Sequence, residues 1–345
     1  MFSTIVQWRI IQTHRLRNYM SEALRYVDDS MPGISRQKSG KTWAYFSARG
    51  RRITRQTEID RLNAVALPPA YTNAWFCPQP DGHIQAVGWD AKGRKQYRYH
   101  TEFRTAREAD KYARCSEFGL ALPAIRKRVE ADLDRRQIDR NTVLAAVVRF
   151  LDRGRVRIGN ETYARTNKSY GATTLRKRHA TVNGHSVMFD YVGKSGKAQA
   201  VKIEDARLAR VVRKCLDHSD IHLFEYTDET GARQAITSSD VNGYLREASG
   251  CDFTAKHFRT WGASSIALDA ILSSELPVTM KSMLTPVAAA LGNTPAIARK
   301  SYIHPNVIAL IERPQKVQQL RNKMLPNAKR MTQTERALLK VLRSK

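Results

Sequence analysis

Five side chains in this sequence have the types needed to cut a phosphodiester bond: Arg157, Lys194, Arg259, Asn293 and Tyr302. A tyrosine hydroxyl that attacks phosphorus needs cations or hydrogen-bond donors on the non-bridging oxygens, and a separate acid for the departing sugar oxygen. Two arginines and an asparagine suit the first task, and a lysine suits the second. The set therefore predicts breakage and rejoining of a DNA strand.

The spacing of Asn293 and Tyr302 indicates how a helix positions the nucleophile. Thr294 and Pro295 are typical of a helix N-cap and a first helical residue. Tyr302 follows Pro295 by about two helical turns, so we expect both on one helix face. Asn293, just before the helix, is expected near the same phosphate. An asparagine can donate a hydrogen bond there but cannot transfer a proton.

The elements that must position these residues divide into two predicted domains of an α+β fold. Residues 1–107 form a small β-rich domain, and residues 108–312 form a larger, mainly helical domain with a small antiparallel sheet. Residues 313–345 are a basic segment that is either a docked helix or a mobile arm. In the first domain, strands are predicted at Trp43–Phe46, Arg52–Ile53 and Ile84–Trp89, and glycine and proline residues separate them.

In the second domain, apolar periodicity predicts helices at Arg107–Phe118, Pro123–Arg135 and Asn141–Leu151. Alternating patterns then predict three strands, at Val156–Ile158, His185–Tyr191 and Gln199–Ile203. The turn between the last two carries Lys194. Beyond Glu204 the pattern is helical nearly to the end of the sequence.

Charge indicates a polyanionic partner. The 345 residues include 59 Lys and Arg against 32 Asp and Glu, for a net charge of +27. Both predicted domains share the excess, so we expect both to contact nucleic acid.

Export, metal and nucleotide sites are not indicated. Residues 1–15 have no basic region before a continuous apolar run, so we interpret them as an ordinary helix and not as an export signal. No apolar run in the sequence is long enough to span a bilayer. The four cysteines include no CxxC pair of the kind that binds zinc. The spacing of His179, His185, His257 and His304 is not that of a metal-ligand set. We interpret these histidines as structural or DNA-contacting. Reduced cysteines fit a cytoplasmic protein.

Gly193, Lys194 and Ser195 end like a phosphate-binding loop, but that motif requires glycine where this chain has Met188. It also requires a junction from strand to helix, and here a hairpin turn is predicted. We therefore expect no ATP site.

Several segments together resemble a known family: Asp152–His179, Phe189–Lys194, Ala255–Trp261, Asn293–Tyr302, Pro32–Ile34 and Lys92–Tyr99. In order and spacing they resemble type IB DNA topoisomerases of the compact bacterial and poxvirus branch, over roughly residues 28–310. The resemblance implies a catalytic domain with the fold of tyrosine recombinases. It also implies relaxation of supercoiled duplex DNA by a monomer, without ATP or metal, through a 3′-phosphotyrosyl intermediate.

Carried onto this sequence, the resemblance implies a role for each residue. Tyr302 matches the nucleophile, Arg157 and Arg259 the phosphate clamp, and Lys194 the general acid. Asn293 stands where most relatives have histidine, which implies charge support without acid–base catalysis. The implied DNA contacts are Arg94, Tyr97, Tyr99, Tyr163 and Lys177.

Simpler interpretations remain open for these contacts. Tyr97 and Tyr99 project to one face of an extended segment, interleaved with Lys95, and that face is either a phosphate-binding surface or ordinary aromatic packing. Lys177 is equally explained as a solvated surface residue.

Two alternative functions remain. A tyrosine recombinase would share the chemistry, but recombinases generally carry His-x-x-Arg, where this chain has Lys256 before Arg259. A non-catalytic basic nucleoid protein would need only the charge. For any of the three we expect a cytoplasmic, nucleoid-associated protein.

Overall fold

The computed structural model describes residues 24–218, 221–275 and 277–343. The helix predicted for residues 1–15 lies outside these ranges. The chain divides into two compact units, Met1–Ala113 and Arg114–Lys345, and the described residues of each unit have apolar cores of their own. No helix within the described ranges is long and apolar enough to cross a membrane.

The first unit is built on a five-stranded antiparallel sheet with strand order β2-β1-β3-β4-β5. A short helix, α1 (Gln56–Ala64), precedes the third strand. The strands are β1 (Ile34–Ser39), β2 (Thr42–Phe46), β3 (Thr72–Phe76), β4 (Ile84–Trp89) and β5 (Lys95–Tyr99).

The strand predictions for this unit are confirmed at β2 and β4. The one at Arg52–Ile53 is wrong, because Arg52 makes only an isolated bridge to Phe46. Strand β4 is buried along most of its length, whereas β5 lies at the edge and is mainly exposed. The edge position leaves the side chains of β5 accessible to a large partner.

One helix, α2 (Thr101–Leu133), replaces the two that the sequence predicts on either side of Pro123. A proline inside a helix removes one backbone hydrogen bond. The apolar stripe nevertheless continues across it, since Phe118, Leu122, Ile125 and Val129 are all buried. Burial of this stripe keeps the helix continuous despite the lost bond.

The second unit is mainly helical, which confirms the predicted α+β class. Helix α3 (Arg140–Gly154) is almost entirely buried and provides the centre of the core. The other helices up to residue 312 are α4 (Glu161–Asn167), α5 (Ala206–His218), α6 (Ser238–Ser249), α7 (Ala255–Ser273), α8 (Met280–Leu291), α9 (Pro295–Ser301) and α10 (Pro305–Ile308).

A three-stranded antiparallel sheet lies between these helices in the chain: β6 (Ala180–Asn183), β7 (Ser186–Val192) and β8 (Ala198–Glu204). The predicted strands at the last two positions are confirmed. The one at Val156–Ile158 is wrong, because this extended segment bonds to a 3-10 turn and not to a strand. The N–H groups of Ala172 and Thr173 donate to the carbonyls of Arg157 and Ile158, at 2.8 and 2.7 Å.

A second hairpin, β9 (Glu225–Thr227) and β10 (Arg233–Ala235), occupies a region for which the sequence predicts helix. Asp228 explains the difference, because its side chain accepts hydrogen bonds from the N–H groups of Thr230 and Ala232, both at 3.0 Å. Such a local bond offers the backbone a turn in place of a helix.

The segment after residue 313 contains two helices, α11 (Pro314–Asn322) and α12 (Gln333–Arg343). Three apolar side chains of α12 are buried in the core of the second unit: Ala337, Leu338 and Val341. Of the two alternatives for this segment, the structure contains the docked helix.

Docking of α12 can be tested at Leu338, which is 0% exposed. Leu338→Ala should lower the free energy of unfolding by about 2–5 kcal/mol, because it leaves a cavity in the core. Denaturant unfolding measures the change. The control Leu325→Ala alters a side chain that is 38% exposed and should cost no more than about 0.5 kcal/mol. Equal effects of the two substitutions would show that α12 is not part of the core.

Candidate active site

Arg157 and Asn293 form a direct contact, although they are 136 residues apart. Arg157 lies on the extended segment after α3, and Asn293 follows Gly292, which ends α8 with a left-handed φ of 60°. Arg157 Nη2 donates to Asn293 Oδ1 at 2.6 Å. Since a guanidinium only donates, this contact turns the amide oxygen toward Arg157. Asn293 Nδ2 is left buried and has no hydrogen-bond partner among the described residues.

Arg259, on α7, is held rigidly inside the second unit, where it is only 4% exposed. Its Nη1 donates to the carbonyl of Arg155, and its Nη2 donates to the carbonyl of Leu291 at 3.1 Å. The guanidinium is thus held by backbone carbonyls at the ends of α3 and α8. Its Nε is buried without a hydrogen-bond partner among the described residues. Burial lowers the pKa of Arg259, and the neighbouring Tyr302 partly offsets this.

Tyr302 is positioned by α9. Thr294 caps this helix by accepting from the N–H of Ile297 at 3.3 Å, and Pro295 is its first residue, so both helix-start predictions are confirmed. The helix ends at Ser301, one residue earlier than predicted, and Tyr302 is its C-cap. The N–H of Tyr302 donates to the carbonyl of Ala298 at 3.1 Å.

The phenol ring of Tyr302 lies against Arg259, whose Cζ is 4.9 Å from the ring centroid. Burial alone raises the pKa of Tyr302, but Arg259, Arg157 and the Asn293 side chain together bring this pKa below its ordinary value. Tyr191 provides a contrast. Burial raises the pKa of Tyr191 to about 12, although Arg259 and Arg157 act in the opposite direction. Of these two phenols, Tyr302 is therefore the one that ionises more readily.

Lys194 lies in the turn that joins β7 and β8, as predicted. Val192 pairs with Ala198 across the hairpin, and Ser195 and Gly196 adopt positive φ angles of 64° and 73°. The side chain of Lys194 is exposed. It can therefore approach a bound molecule from the open side of the site.

A surface recess brings Lys194 together with the two arginines, Arg157 and Arg259. The remaining lining residues are Arg155, Val156, Tyr170, Tyr191, Gly193, Gln199 and Ala290. The structure thus brings the five predicted residues together in two groups that share Arg157 and Arg259. Arg157 and Arg259 line the recess with Lys194, and the same two arginines act on Tyr302, with Asn293 bonded to Arg157.

The seven other lining residues were not among the predicted site residues, and two of them, Tyr191 and Gln199, show why. Tyr191 was available to prediction, because it lies on the inward face of β7 three residues before Lys194. Gln199 packs on the backbone of Gly292, where an added Cβ would lie 2.6 Å from its Oε1. No sequence pattern predicts that contact.

On the first unit, Tyr97 and Tyr99 project from the same face of β5, as predicted. Their rings stack with centroids 5.9 Å apart, and each residue remains 40% exposed. Lys95 Nζ lies 5.5 Å from the centroid of Tyr97. Arg94 is exposed and pairs with Asp90 at 2.7 Å; this hydrogen-bonded pairing lowers the pKa of Asp90 to about 2. Lys95 also pairs with Asp29 at 2.6 Å. The face thus combines aromatic rings with two cations, each paired with a carboxylate.

The other two predicted DNA contacts lie on the second unit. Tyr163 is exposed on α4, where its N–H donates to Asn160 Oδ1 at 3.1 Å. Lys177 is half-buried in the 3-10 turn Lys177–His179. Neither residue lines the recess.

Three of the four histidines cap local turns. The Nδ1 atoms of His179, His257 and His304 accept from backbone N–H groups at 3.0, 3.0 and 3.1 Å. Burial is the main cause that lowers the pKa of His257 to about 4. These three histidines are structural. Within the described ranges, no group of three or more His, Cys, Asp or Glu side chains could hold a metal ion.

Comparison with known proteins identifies related sequences. Residues 100–331 match a family model for the catalytic core of eukaryotic DNA topoisomerase I. Residues 42–90 match a model for the N-terminal domain of bacterial DNA topoisomerase IB.

Two viral proteins are among the relatives. DNA topoisomerase 1B of Acanthamoeba polyphaga mimivirus is 32% identical over 287 residues, which cover 79% of this chain and 85% of the relative. DNA topoisomerase 1B of Vaccinia virus (strain Copenhagen) is 22% identical over 235 residues, which cover 66% of this chain and 72% of the relative.

Among solved structures, the XerH site-specific recombinase bound to palindromic difH substrate matches with a TM-score of 0.36 and 17% identity, over 55% of this chain and 50% of that one. That match is too loose to favour a recombinase.

The lowered pKa of Tyr302 can be measured as the difference in phenolate absorbance between the unaltered protein and Tyr302→Phe during a pH titration. The midpoint should fall below the ordinary value of about 10. Arg259→Gln should move it upward, because a nearby cation favours the anion. The equivalent difference for Tyr191→Phe should titrate above the ordinary value. A Tyr302 midpoint at or above that of Tyr191 would contradict the electrostatics described here.

Proposed function

Because this chain belongs to the type IB DNA topoisomerase family, we propose that it relaxes supercoiled duplex DNA through a transient bond between Tyr302 and one strand. The chain is a DNA topoisomerase I, an isomerase that binds DNA. The identity of the bond and the roles of individual residues are our proposal. One observation supports them above all others: Arg157, Arg259 and Asn293 converge on a phenol whose pKa they lower.

The same convergence suits a phosphate that gains negative charge during attack. Asn293 Nδ2 and Arg259 Nε are buried donors that make no hydrogen bond of ordinary length among the described residues, and the group that these two side chains act on is the Tyr302 phenol. A buried donor left unpaired is costly, so such groups are expected to find an acceptor when the site is occupied. Donors fixed before the reaction stabilise developing charge without reorganising. We therefore assign Arg157, Arg259 and Asn293 to the non-bridging oxygens of the scissile phosphate.

The proposed reaction exchanges one phosphodiester for another. The Tyr302 hydroxyl loses its proton to solvent, the phenolate oxygen bonds to phosphorus as the bond to the 5′ oxygen breaks, and Lys194 gives that 5′ oxygen a proton. One strand end is then held as a 3′-phosphotyrosine while the free end rotates about the intact strand. The 5′ hydroxyl attacks in reverse, returns a proton to Lys194 and releases Tyr302.

No bond energy is consumed in this cycle, so ATP is not required. Arg157 and Arg259 supply the positive charge, and Lys194 supplies the proton, for which other enzymes use a divalent cation and its bound water. We therefore also propose that no metal is required.

DNA contacts outside the recess follow from the exposed basic and aromatic residues. Arg94, Tyr97 and Tyr99 offer a phosphate-binding face on the first unit, and Tyr163 and Lys177 offer two more contacts on the second. Such contacts position a protein on the duplex without selecting a sequence. All five proposed catalytic residues belong to one unit of one chain, so we propose that a monomer suffices. With its charge of +27, it would be a nucleoid-associated protein of the cytoplasm.

Covalent trapping tests the nucleophile. A suicide duplex whose short downstream fragment, which carries the new 5′ hydroxyl, dissociates after cleavage should leave the unaltered protein attached to the upstream strand, in the presence of EDTA and without ATP. Tyr302→Phe should bind this duplex but form no adduct, because it lacks the attacking oxygen. Tyr226→Phe, on β9, is the matched control and should form the adduct normally. An adduct from Tyr302→Phe, or one that requires added Mg²⁺, would refute this mechanism.

The role of Lys194 can be tested through the leaving group. Lys194→Ala should slow single-turnover cleavage by about 10²–10⁴-fold, the usual contribution of a general acid. A substrate with sulfur in place of the bridging 5′ oxygen needs little protonation, so on it the loss should shrink to less than about tenfold. Lys197→Ala, in the same hairpin turn, is the control and should cleave both substrates normally. An equal loss on the two substrates would mean that Lys194 is not the acid.

A further inference from the structure

A buried ionic network connects α12 to the core of the second unit. Arg126, on α2, donates to both oxygens of Glu335 on α12, each at 2.8 Å. It also donates to both oxygens of Asp152 near the end of α3, at 2.8 and 2.9 Å. Its remaining N–H donates to the carbonyl of Arg330 at 2.6 Å. All five donors of the guanidinium are therefore used.

The network is well shielded from water. The side chains of Arg126, Asp152 and Glu335 are 12%, 6% and 8% exposed. Burial raises the pKa of both carboxyl groups, but Arg126 outweighs it and lowers both below their ordinary values. All three groups are thus charged at neutral pH. Buried ion pairs are weak evidence for stability, since apolar residues often do as well, and their better-attested use is to fix geometry.

At one end, the network reaches the helix that carries Arg259. Glu335 Oε1 also accepts from Trp261 Nε1 at 3.1 Å, and Trp261 is two residues beyond Arg259 on α7. The indole ring leaves no spare space around it. A Cβ added at Gly119 would lie 2.3 Å from the Trp261 ring and 2.9 Å from Leu339 of α12. The position of this stretch of α7 is therefore set by α2 and α12 together.

At the other end, the network reaches the segment that carries Arg157. Asp152 is three residues before Arg155, whose carbonyl accepts from Arg259 Nη1. The Arg155 side chain packs on Gly262 of α7, where an added Cβ would lie 2.9 Å from Arg155 Cγ. The two segments that carry the arginines are thus joined to each other, and each is joined to Glu335.

We propose that Glu335 is a positioning residue for the two arginines, so that α12 supports the active site through buried contacts. The inference rests on the proposed cleavage reaction. Glu335 acts through Arg126 and Asp152 on the segment that carries Arg157, and through Trp261 on the helix that carries Arg259. Loss of its charge lets both guanidinium groups depart from the geometry that the phosphate requires, and small displacements of this kind are costly in rate.

Glu335→Gln is the test, because it removes the charge while leaving Arg126 paired with Asp152. Single-turnover cleavage of the suicide duplex should slow by about tenfold or more, whereas the dissociation constant for DNA should change less than about twofold. Trp261→Phe, which removes the indole N–H that bonds to Glu335 together with part of the buried ring, should slow cleavage in the same direction and serves as the second variant if Glu335→Gln folds poorly. Glu312→Gln, on the surface, is the control and should cleave normally.

A double-mutant cycle separates positioning from general destabilisation. Because Glu335 is proposed to act on Arg259 as well as on Arg157, Glu335→Gln should slow cleavage by a smaller factor in an Arg259→Lys background than in the unaltered protein, since interacting sites are not additive. An equal cost in both backgrounds would overturn the proposal. So would normal cleavage by Glu335→Gln, which would leave the proposed function intact. If the unaltered protein itself formed no adduct, the proposed function would fail and this inference with it.

Discussion

The structure of the second unit depends on one electrostatic constraint: fixed positive charge must be held beside a half-buried phenol. Burial makes the Tyr302 anion less favourable, and Arg259, Arg157 and Asn293 together outweigh that effect. A buried arginine is itself costly unless its donors are paired. Here the pairing is supplied by backbone carbonyls of Arg155 and Leu291. The ends of two helices thus hold a cation beside Tyr302, the proposed nucleophile.

These contacts join residues that lie far apart in the sequence. Arg157 and Asn293 are 136 residues apart, and Arg126 and Glu335 are 209 residues apart. Their side chains meet because α3, α8 and α12 each pack on α7 in the second unit, and because α2, which carries Arg126, contacts α7 where Gly119 meets Trp261. The site is therefore formed by contacts between distant segments of the helical core, and not by any single helix.

Much of this arrangement was predictable where the signal is local. The cap at Thr294 and Pro295, the hairpin turn at Lys194 and the strand β4 depend on short-range patterns, and the structure confirms them. Predictions were wrong where tertiary packing decides: α2 continues through Pro123 because its apolar stripe stays buried, and residues 156–158 bond to a turn instead of a strand. The carbonyls that hold Arg259 and the network around Glu335 involve backbone atoms or distant partners, which no sequence pattern reveals.

The order in which the chain is synthesised follows from the same long-range contacts. Arg157 and Arg259 emerge from the ribosome before Tyr302, and the last helix that packs on α7 emerges later still. A nascent chain therefore carries Tyr302, the proposed nucleophile, only after the two arginines beside it have been made, and before α12 has been made. If Glu335 positions those arginines as proposed, a chain still lacking α12 holds the phenol beside arginines whose support is missing.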